Sequence, residues 1–197
     1  MRPYDDRLNH LLTHAARVFA DRGYHATTMR DVARASGMSL AGIYYYVRGK
    51  EALLARIQER CFTGVLEGAR AAVATSDDPV ERIHAFVRHH VGYFAAHMPE
   101  MKVLSHEAGS LGGDARRRVE AIKRRYVDLL EGLLRDAAPD DAPVDRKAAA
   151  YLLFGMMNWT YTWYDPAREL DPRRLADLIA RIFLGGFVEA RSAVHGG

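Results

Sequence analysis

The chain has 197 residues, of which 49% are hydrophobic and 27% are charged. This composition excludes a disordered chain, and the single cysteine, Cys61, excludes an internal disulfide. No apolar run approaches the roughly 20 residues of a membrane-spanning helix, and the polar start predicts no secretory leader. These features predict a cytoplasmic globular protein without a membrane partner.

Positive charge is concentrated at the N-terminus. Residues 1–50 contain eight basic and four acidic side chains, whereas residues 51–197 contain 20 basic and 21 acidic ones. A segment with such an excess is suited to meet an anionic partner.

Helix-period patterns run through nearly the whole chain, and strand patterns are almost absent. The first helix carries an apolar stripe and stops at Gly23, a residue suited to the position after a helix. Thr28 predicts the N-cap of a short second helix, which stops at Gly37. Ser39 predicts the cap of a third short helix that runs to Tyr46. These two helices are too short to be stable alone, so packing on their neighbours must hold them.

Six longer helices are predicted after Gly49. The first of them runs from Lys50 to about Ala74, the fifth from Asp145 to about Tyr164, and the last from Pro172 to about Val194. Turn and loop signals at 77–79, 98–100, 109–113, 139–143 and 165–166 separate them. The fold class expected is all-α, with a three-helix head and a six-helix body.

The run A-T-T-M-R-D-V-A-R-A-S-G-M-S-L-A-G-I-Y-Y-Y-V-R-G-K at 26–50 has the order of a helix-turn-helix. Gly37 supplies the tight turn, Met38 the apolar plug beneath it, and Ser39 the start of a recognition helix that ends in three tyrosines. Over residues 8–55 this ordered set resembles the TetR family of repressors. The resemblance implies a DNA-binding domain at 1–50 and a ligand-binding and dimerisation domain at 51–197. It also implies release from a palindromic operator by a small hydrophobic ligand.

The resemblance implies DNA contacts along the second and third helices. Thr28 would contact a phosphate through the free N–H groups of a helix N-terminus, and Lys50 would hold another backbone phosphate. The residues expected at the DNA are Thr28, Arg30, Ser39, Leu40, Tyr44, Tyr45, Tyr46 and Lys50. Leu40 stands where the family often has lysine, and the two residues after it carry no polar side chain. Direct reading of base edges is therefore expected to be sparse.

Packing is the alternative role for the three tyrosines. Consecutive helix residues point about 100° apart, so three in a row cannot all face the core. Ile43 and one of the tyrosines must lie inside, with Tyr44 or Val47 as the expected companion of Ile43. Solvated charge is likewise the simpler interpretation of the arginines on the first helix.

The body is rich in aromatic and methionine side chains, which suit an apolar ligand pocket. The alternative for each of them is ordinary core packing. The residues expected at the ligand are Tyr93, Phe94, Met101, Leu104, Tyr126, Asn158, Trp159 and Trp163. Asn158 is a polar residue in an apolar run, and a buried amide needs partners: a ligand, the opposite subunit or nearby backbone.

The stretch M-M-N-W-T-Y-T-W-Y-D-P, followed by a helix with I-F-L-G-G-F, resembles a narrower branch of the TetR family. That branch controls fatty-acid, phenylacetate or sterol-ring degradation, and the resemblance implies an acyl-CoA thioester as effector. The effector phosphates would need cations, for which the candidates are Arg117, Arg118, Arg124 and Arg125. The alternative is a solvated helix face that pairs with Glu120 and Asp128, and it applies to the whole basic cluster of this helix: Arg116, Arg117, Arg118, Lys123, Arg124 and Arg125.

Two apolar stripes near the C-terminus, with small residues for close approach, predict a homodimer. The last helix contributes Leu175, Leu178, Ile179, Ile182, Phe183, Gly186 and Phe187, and the helix before it contributes Ala148, Leu152, Gly155 and Trp159. A four-helix interface is the usual arrangement in the resembled family. It would place two recognition helices about 34 Å apart on a palindromic site.

Two other classes of function fit the sequence less well. An enzyme would need a phosphate-binding glycine motif, paired cysteines, a metal motif or a nucleophile with its base, and the sequence has none of these patterns, so no cofactor is expected. The body histidines His84, His89, His90, His97 and His106 are spaced too loosely for a metal site, so surface or pocket positions are expected for them. The second alternative is a helical ligand-binding or interaction protein that binds no DNA, and the positive N-terminal segment argues against it.

Overall fold

A computed structural model describes residues 3–107, 109–138, 145–165 and 170–192, which form nine α-helices and no strand. The all-α fold class is therefore confirmed. The helices are α1 (Pro3–Arg22), α2 (Met29–Ser36), α3 (Leu40–Tyr46), α4 (Lys50–Val73), α5 (Pro79–Ala96), α6 (Met98–His106), α7 (Gly113–Ala137), α8 (Arg146–Asn158) and α9 (Pro172–Ser192). A short 3-10 helix, Trp159–Thr162, follows α8.

Capping residues set the boundaries of the helix-turn-helix, α2 and α3, as predicted. Thr28 and Asp31 form a complete capping box, in which each side chain accepts a hydrogen bond from the other residue's backbone N–H. Gly37 ends α2 at φ 65°, in the left-handed region that glycine adopts without a steric penalty. The Ser39 hydroxyl accepts from Gly42 N at 3.0 Å and starts α3.

The first compact unit, Met1–Thr63 with His97–Ile122, joins the helix-turn-helix to α1, α6 and parts of α4 and α7. One apolar cluster fills it, and its most deeply buried members come from every one of these helices. They include Leu11, Phe19, Val32, Ile43, Leu53, Ile57, Val103, Leu111 and Val119. The domain boundary at residue 50 stays a prediction, since the unit that contains residues 1–50 also includes part of α4, α6 and the start of α7.

The second compact unit, Gly64–Ala96 with Lys123–Gly197, is built on α5, which packs along α9 and against α8. Two ion pairs tie its helices together: Arg88 Nε lies 2.6 Å from Asp177 Oδ1, and Arg82 lies 2.9 Å from Asp136. Its core contains the large apolar side chains Ile83, Phe86, Leu130, Leu133, Leu134, Leu153 and Met157. No helix in the part of the chain that the structure describes is long and apolar enough to cross a membrane.

One predicted helix end is wrong for a local reason. The helix expected to reach Tyr164 ends at Asn158, and a 3-10 turn follows. The hydroxyls of Thr160 and Thr162 each donate to the carbonyl three residues earlier, at 2.7 Å. Such side-chain bonds to the backbone compete with the α-helical ladder. The predicted loop at 139–143, the end of the last helix beyond 192, Arg2 and the side chain of Phe187 lie outside the described residues.

Candidate DNA interface and effector site

The recognition helix α3 separates its tyrosines by depth. Ile43 and Val47 are buried in the core of the first unit, and Tyr46 is half-buried against the same cluster. Tyr44 and Tyr45 keep 48% and 74% of their surface exposed. Tyr46 is thus the packed tyrosine, whereas Tyr44 and Tyr45 form the outward face of α3.

Tyr4 on α1 is a neighbour of this face that sequence reasoning missed. Its ring centroid lies 4.9 Å from that of Tyr46 and 6.0 Å from that of Tyr45, which in turn lie 5.1 Å apart at 90°. Tyr4 is itself exposed, so the three rings form a cluster on the surface and not in the core. No local signal links residue 4 to residues 45 and 46; only the packing of α1 beside α3 does so.

Thr28 stands exposed at the N-terminus of α2, where a phosphate contact was predicted. Its hydroxyl donates to Asp31 Oδ2 at 2.6 Å, and these hydrogen bonds lower the pKa of the Asp31 carboxyl below its usual value. Arg22 and Arg34 both approach Asp31 Oδ1, at 3.4 and 3.5 Å. The helix end therefore already has a carboxylate beside it, with two arginines and the exposed Arg30 around it.

Lys50 has partners within its own unit that the sequence did not reveal. Its ammonium donates to the carbonyls of Tyr24, His25 and Thr27 at 2.9, 3.1 and 3.0 Å, and it lies 4.6 Å from the centre of the Tyr24 ring. An ammonium has three N–H donors, and these three carbonyls use all of them. Lys50 thus fastens the loop between α1 and α2 to the start of α4. Its predicted phosphate contact stays a prediction.

A buried polar row crosses the second unit. The His90 ring on α5 places Nδ1 2.9 Å from the Tyr126 hydroxyl on α7 and Nε2 3.1 Å from Asn158 Oδ1 on α8. His90 and Tyr126 are buried, and burial lowers the pKa of His90 to about 3 and raises that of Tyr126. Phe86, Phe94 and Phe154 surround the row. Both titratable groups are therefore neutral at pH 7.

The residues predicted at the ligand are only partly brought together. Phe94, Tyr126 and Asn158 meet around His90, a body histidine that was not among the residues predicted at the ligand. Asn158 was expected to be buried, and that is wrong: its side chain is exposed although its oxygen is bonded. Tyr93 is half-buried nearby on α5. Met101 and Leu104 are buried but belong to the first unit, and Trp159 and Trp163 are exposed.

An exposed apolar face runs along α8 and α9 of the second unit. Ala148, Leu152, Gly155 and Trp159 all lie on it, with Leu152 and Trp159 exposing 68% and 65% of their surface. The stripe predicted on α9 divides: Leu178 and Ile182 are exposed, whereas Leu175, Ile179 and Phe183 are buried within the unit. Several large apolar side chains exposed on one face are typical of a protein interface.

Comparison with known proteins places this geometry in a family. The family model described as "Tetracyclin repressor-like, C-terminal domain" matches residues 76–187, more than half of the chain. The model for "Bacterial regulatory proteins, tetR family" matches residues 11–57, which span the helix-turn-helix. The chain belongs to the TetR family. It is thus a DNA-binding transcriptional regulator that uses α2 and α3 as its helix-turn-helix, as the motif predicted.

Relatives of this TetR-family regulator resemble it over almost its whole length. The HTH-type transcriptional repressor KstR2 of Mycolicibacterium smegmatis is 24% identical over 96% of this chain and 94% of its own. The solved structure of AibR in complex with isovaleryl coenzyme A and operator DNA is 32% identical. It covers 89% of this chain and 97% of AibR, with a TM-score of 0.80. The fatty acid degradation regulator FadR of Bacillus halodurans shares the fold, with a TM-score of 0.79 and 21% identity over 94% of this chain and 97% of its own.

The basic stretch of α7 in this TetR-family chain is already partly neutralised. Arg116 pairs with Glu120 at 2.7 Å, Arg118 pairs with Glu59 at 2.7 Å, and Arg117 pairs with Asp114. Arg116 thus makes the helical ion pair with Glu120 that the alternative predicted, whereas Arg117 and Arg118 pair with other carboxylates. Arg124 and Arg125 are exposed in the second unit. No group of three metal-ligating side chains occurs in the ranges the structure describes.

Proposed function

We propose that this chain is a homodimeric, cytoplasmic repressor without catalytic activity, which leaves a palindromic operator when it binds an acyl-CoA thioester. The likeness to AibR carries the proposal, because that protein was solved with both isovaleryl coenzyme A and operator DNA and matches most of this chain. The chain's own residues supply an outward tyrosine face on α3 and a polar row inside an aromatic cage.

The DNA-binding half of the proposal rests on the outward face of the head. Tyr44 and Tyr45 would enter the major groove, with Ser39 and Leu40 at the start of the same helix. Thr28 and Arg30 would contact phosphates beside them. Because Leu40 and the two residues after it offer no hydrogen bonds to bases, much of the sequence preference would come from DNA shape and the spacing of the two heads.

The effector half rests on the second unit. The aromatic side chains around His90 suit an acyl chain, and the neutral row gives it a polar end. Arg124 and Arg125 are the better candidates for the coenzyme phosphates, because Arg117 and Arg118 already have carboxylate partners. The exposed face of α8 and α9 would pair with its copy to form the dimer, in which Trp159 and Ile182 become buried.

The experiment begins with selection of an operator from random duplexes by the purified protein. Fluorescence anisotropy then measures the affinity at several salt concentrations, since phosphate contacts make binding fall as salt rises. We expect isovaleryl-CoA or a longer acyl-CoA, but not free CoA, to release the duplex. Tyr45→Ala should lose the operator while remaining a dimer, with Tyr45→Phe as the matched control.

Three results would contradict the proposal in different ways. Failure of the folded dimer to select any duplex would remove the repressor function. Failure of every acyl-CoA to change operator affinity would remove the effector class and leave DNA binding intact. An acyl-CoA that tightens operator binding would replace release by ligand-promoted binding.

A further inference from the structure

The polar row of Tyr126, His90 and Asn158 has a fixed direction, which follows from counting its protons. In the described part of the chain, the Tyr126 hydroxyl makes one hydrogen bond, to His90 Nδ1 at 2.9 Å. His90 uses its two nitrogens once each, and Asn158 contributes its Oδ1 at 3.1 Å. Each link in the row therefore needs one donor and one acceptor.

A neutral imidazole carries one N–H and one bare nitrogen. Burial keeps His90 neutral, since its pKa is lowered to about 3, and raises the pKa of Tyr126 so that the phenol keeps its proton. If Nδ1 carried the His90 proton, the Tyr126 O–H would have no acceptor among the phenylalanine rings, which is costly for a buried hydroxyl. The proton therefore lies on Nε2, and the row runs from Tyr126 O–H to His90 Nδ1 and from His90 Nε2–H to Asn158 Oδ1.

Asn158 stands where this row reaches the surface of its unit. It follows Phe154 by four residues and thus lies on the same side of α8, beside a ring that is buried against His90. Unlike Phe154, Asn158 is exposed. Because its oxygen is held by His90, the part of the amide that remains for a ligand is the NH2 group, which only donates.

We propose that Asn158 recognises the effector by donating a hydrogen bond from Nδ2 to the thioester carbonyl oxygen of the acyl-CoA. His90 and Tyr126 act as positioning residues, because they fix which end of the amide faces outward. The row is uncharged, so it offers no counter-charge to the carboxylate of a free acid and is suited to a neutral carbonyl. This inference rests on the proposed acyl-CoA effector and adds the protein atom, Asn158 Nδ2, that binds its thioester carbonyl.

The test compares two ligands that differ only at the carbonyl. Isothermal titration of the full-length protein measures the affinities for isovaleryl-CoA and for the thioether S-isopentyl-CoA, in which CH2 replaces C=O. Wild type should prefer the thioester by about tenfold, the value of one neutral hydrogen bond together with an unpaired donor. Asn158→Asp keeps an acceptor for His90 but replaces the outward donors, and should abolish that preference. Tyr151→Phe removes an exposed hydroxyl earlier on the same helix, and this matched control should keep the preference.

The positioning role has its own measurement. Tyr126→Phe removes the hydroxyl that holds the proton on Nε2, so the nitrogen chemical shifts of His90 should move from one tautomer to a mixture. The thioester preference should fall in the same variant, with helicity unchanged. A purely structural role for Tyr126 would lower the stability without changing the tautomer or the preference.

The outcomes separate this inference from the proposed function. Equal affinity for thioester and thioether in wild type would overturn the inference while the acyl-CoA effector stands. If neither ligand binds, and other acyl-CoA thioesters also fail, the proposed effector falls and this inference with it. A weaker dimer in Asn158→Asp with an unchanged thioester preference would assign the amide to the partner subunit, and would also overturn the inference.

Discussion

Replacing Lys50 tests whether this residue serves the fold of the head or the grip on DNA. Its ammonium donates to three carbonyls of the loop between α1 and α2, and two of those bonds, to Tyr24 and Thr27, are partly buried. The third, to His25, is exposed and contributes little. A hydrogen bond from a charged group is worth about 1.5 kcal/mol or more, so two such bonds contribute about 3 kcal/mol.

Lys50→Met keeps the aliphatic stem and removes the donors, so the free energy of unfolding should fall by about 3 kcal/mol. For a chain of this size that lowers the melting temperature by roughly 6–12 °C. Differential scanning calorimetry on the apoprotein measures the effect without DNA. Lys50→Arg is the matched variant that separates charge from geometry. Its guanidinium keeps the charge but cannot aim three donors at the same three carbonyls, so its melting temperature should also fall below that of wild type.

The alternative, a phosphate contact, predicts a different pattern. In that case Lys50→Met would melt at the wild-type temperature, and its affinity would fall equally for operator and for other duplexes. The dependence of that affinity on salt concentration would decrease by about one phosphate contact. Lys50→Arg would then bind DNA like wild type. That pattern would refute the structural role argued from the three carbonyls.

Substitutions of Tyr4, Leu152 and His90 test the DNA interface, the dimer face and the buried imidazole in turn. Tyr4→Leu should weaken operator binding about two- to tenfold, the value of one aromatic pair, without changing the affinity for random duplex; an unchanged operator affinity would remove Tyr4 from the interface. Leu152→Asp should give a folded monomer in which Trp159 fluoresces at longer wavelength than in the wild type, as sedimentation and emission spectra will show; a stable dimer would exclude that face. Because the pKa of His90 in the folded state lies below its unfolded value of 6.5, its contribution to stability is complete above pH 6.5. It should fall by about 1.4 kcal/mol per unit as the pH drops from 6.5 towards 3. Denaturant titrations at several pH values give the free energy of unfolding of wild type and of His90→Gln, and its dependence on pH should differ between the two over that window. The same pH dependence in both would contradict a neutral buried imidazole.

The helix-turn-helix was predictable because its signals are local. The capping pair of Thr28 and Asp31, the left-handed turn at Gly37 and the cap at Ser39 each involve residues within a few positions of one another. The burial of the three tyrosines was predictable only in part. The helix period requires one of them to point inward, and the packing of Val47 and Tyr46 against the core determines that it is Tyr46.

The polar row was not predictable as a set. Tyr126 and Asn158 lie 36 and 68 residues from His90 along the chain, and nothing in the sequence around His90 distinguishes it from the other histidines of the body. Asn158 carries a local signal, because it is polar in an apolar run. Its partner carries none, because a partner depends on which face of α5 turns towards α8. The carbonyl partners of Lys50 were hidden for the same reason, since backbone acceptors leave no mark on a sequence.

Glu107 and Gly112, which follow α6, contact α4 and the loop after α1, and a three-helix motif alone would lack these contacts. Gln58, which is buried, donates to the Glu107 carbonyl at 3.2 Å, the Glu107 carboxylate lies 3.5 Å from His25, and the Glu51 carboxylate accepts from Gly112 N at 3.2 Å. Val103 on α6 belongs to the same buried cluster as Ile43 under the recognition helix. Since close-packed cores shift as units and do not deform freely, α6 cannot move without repacking the cluster that supports α3. A regulator of this construction needs no separate connection between α6 and its DNA-reading surface, because the two share one core.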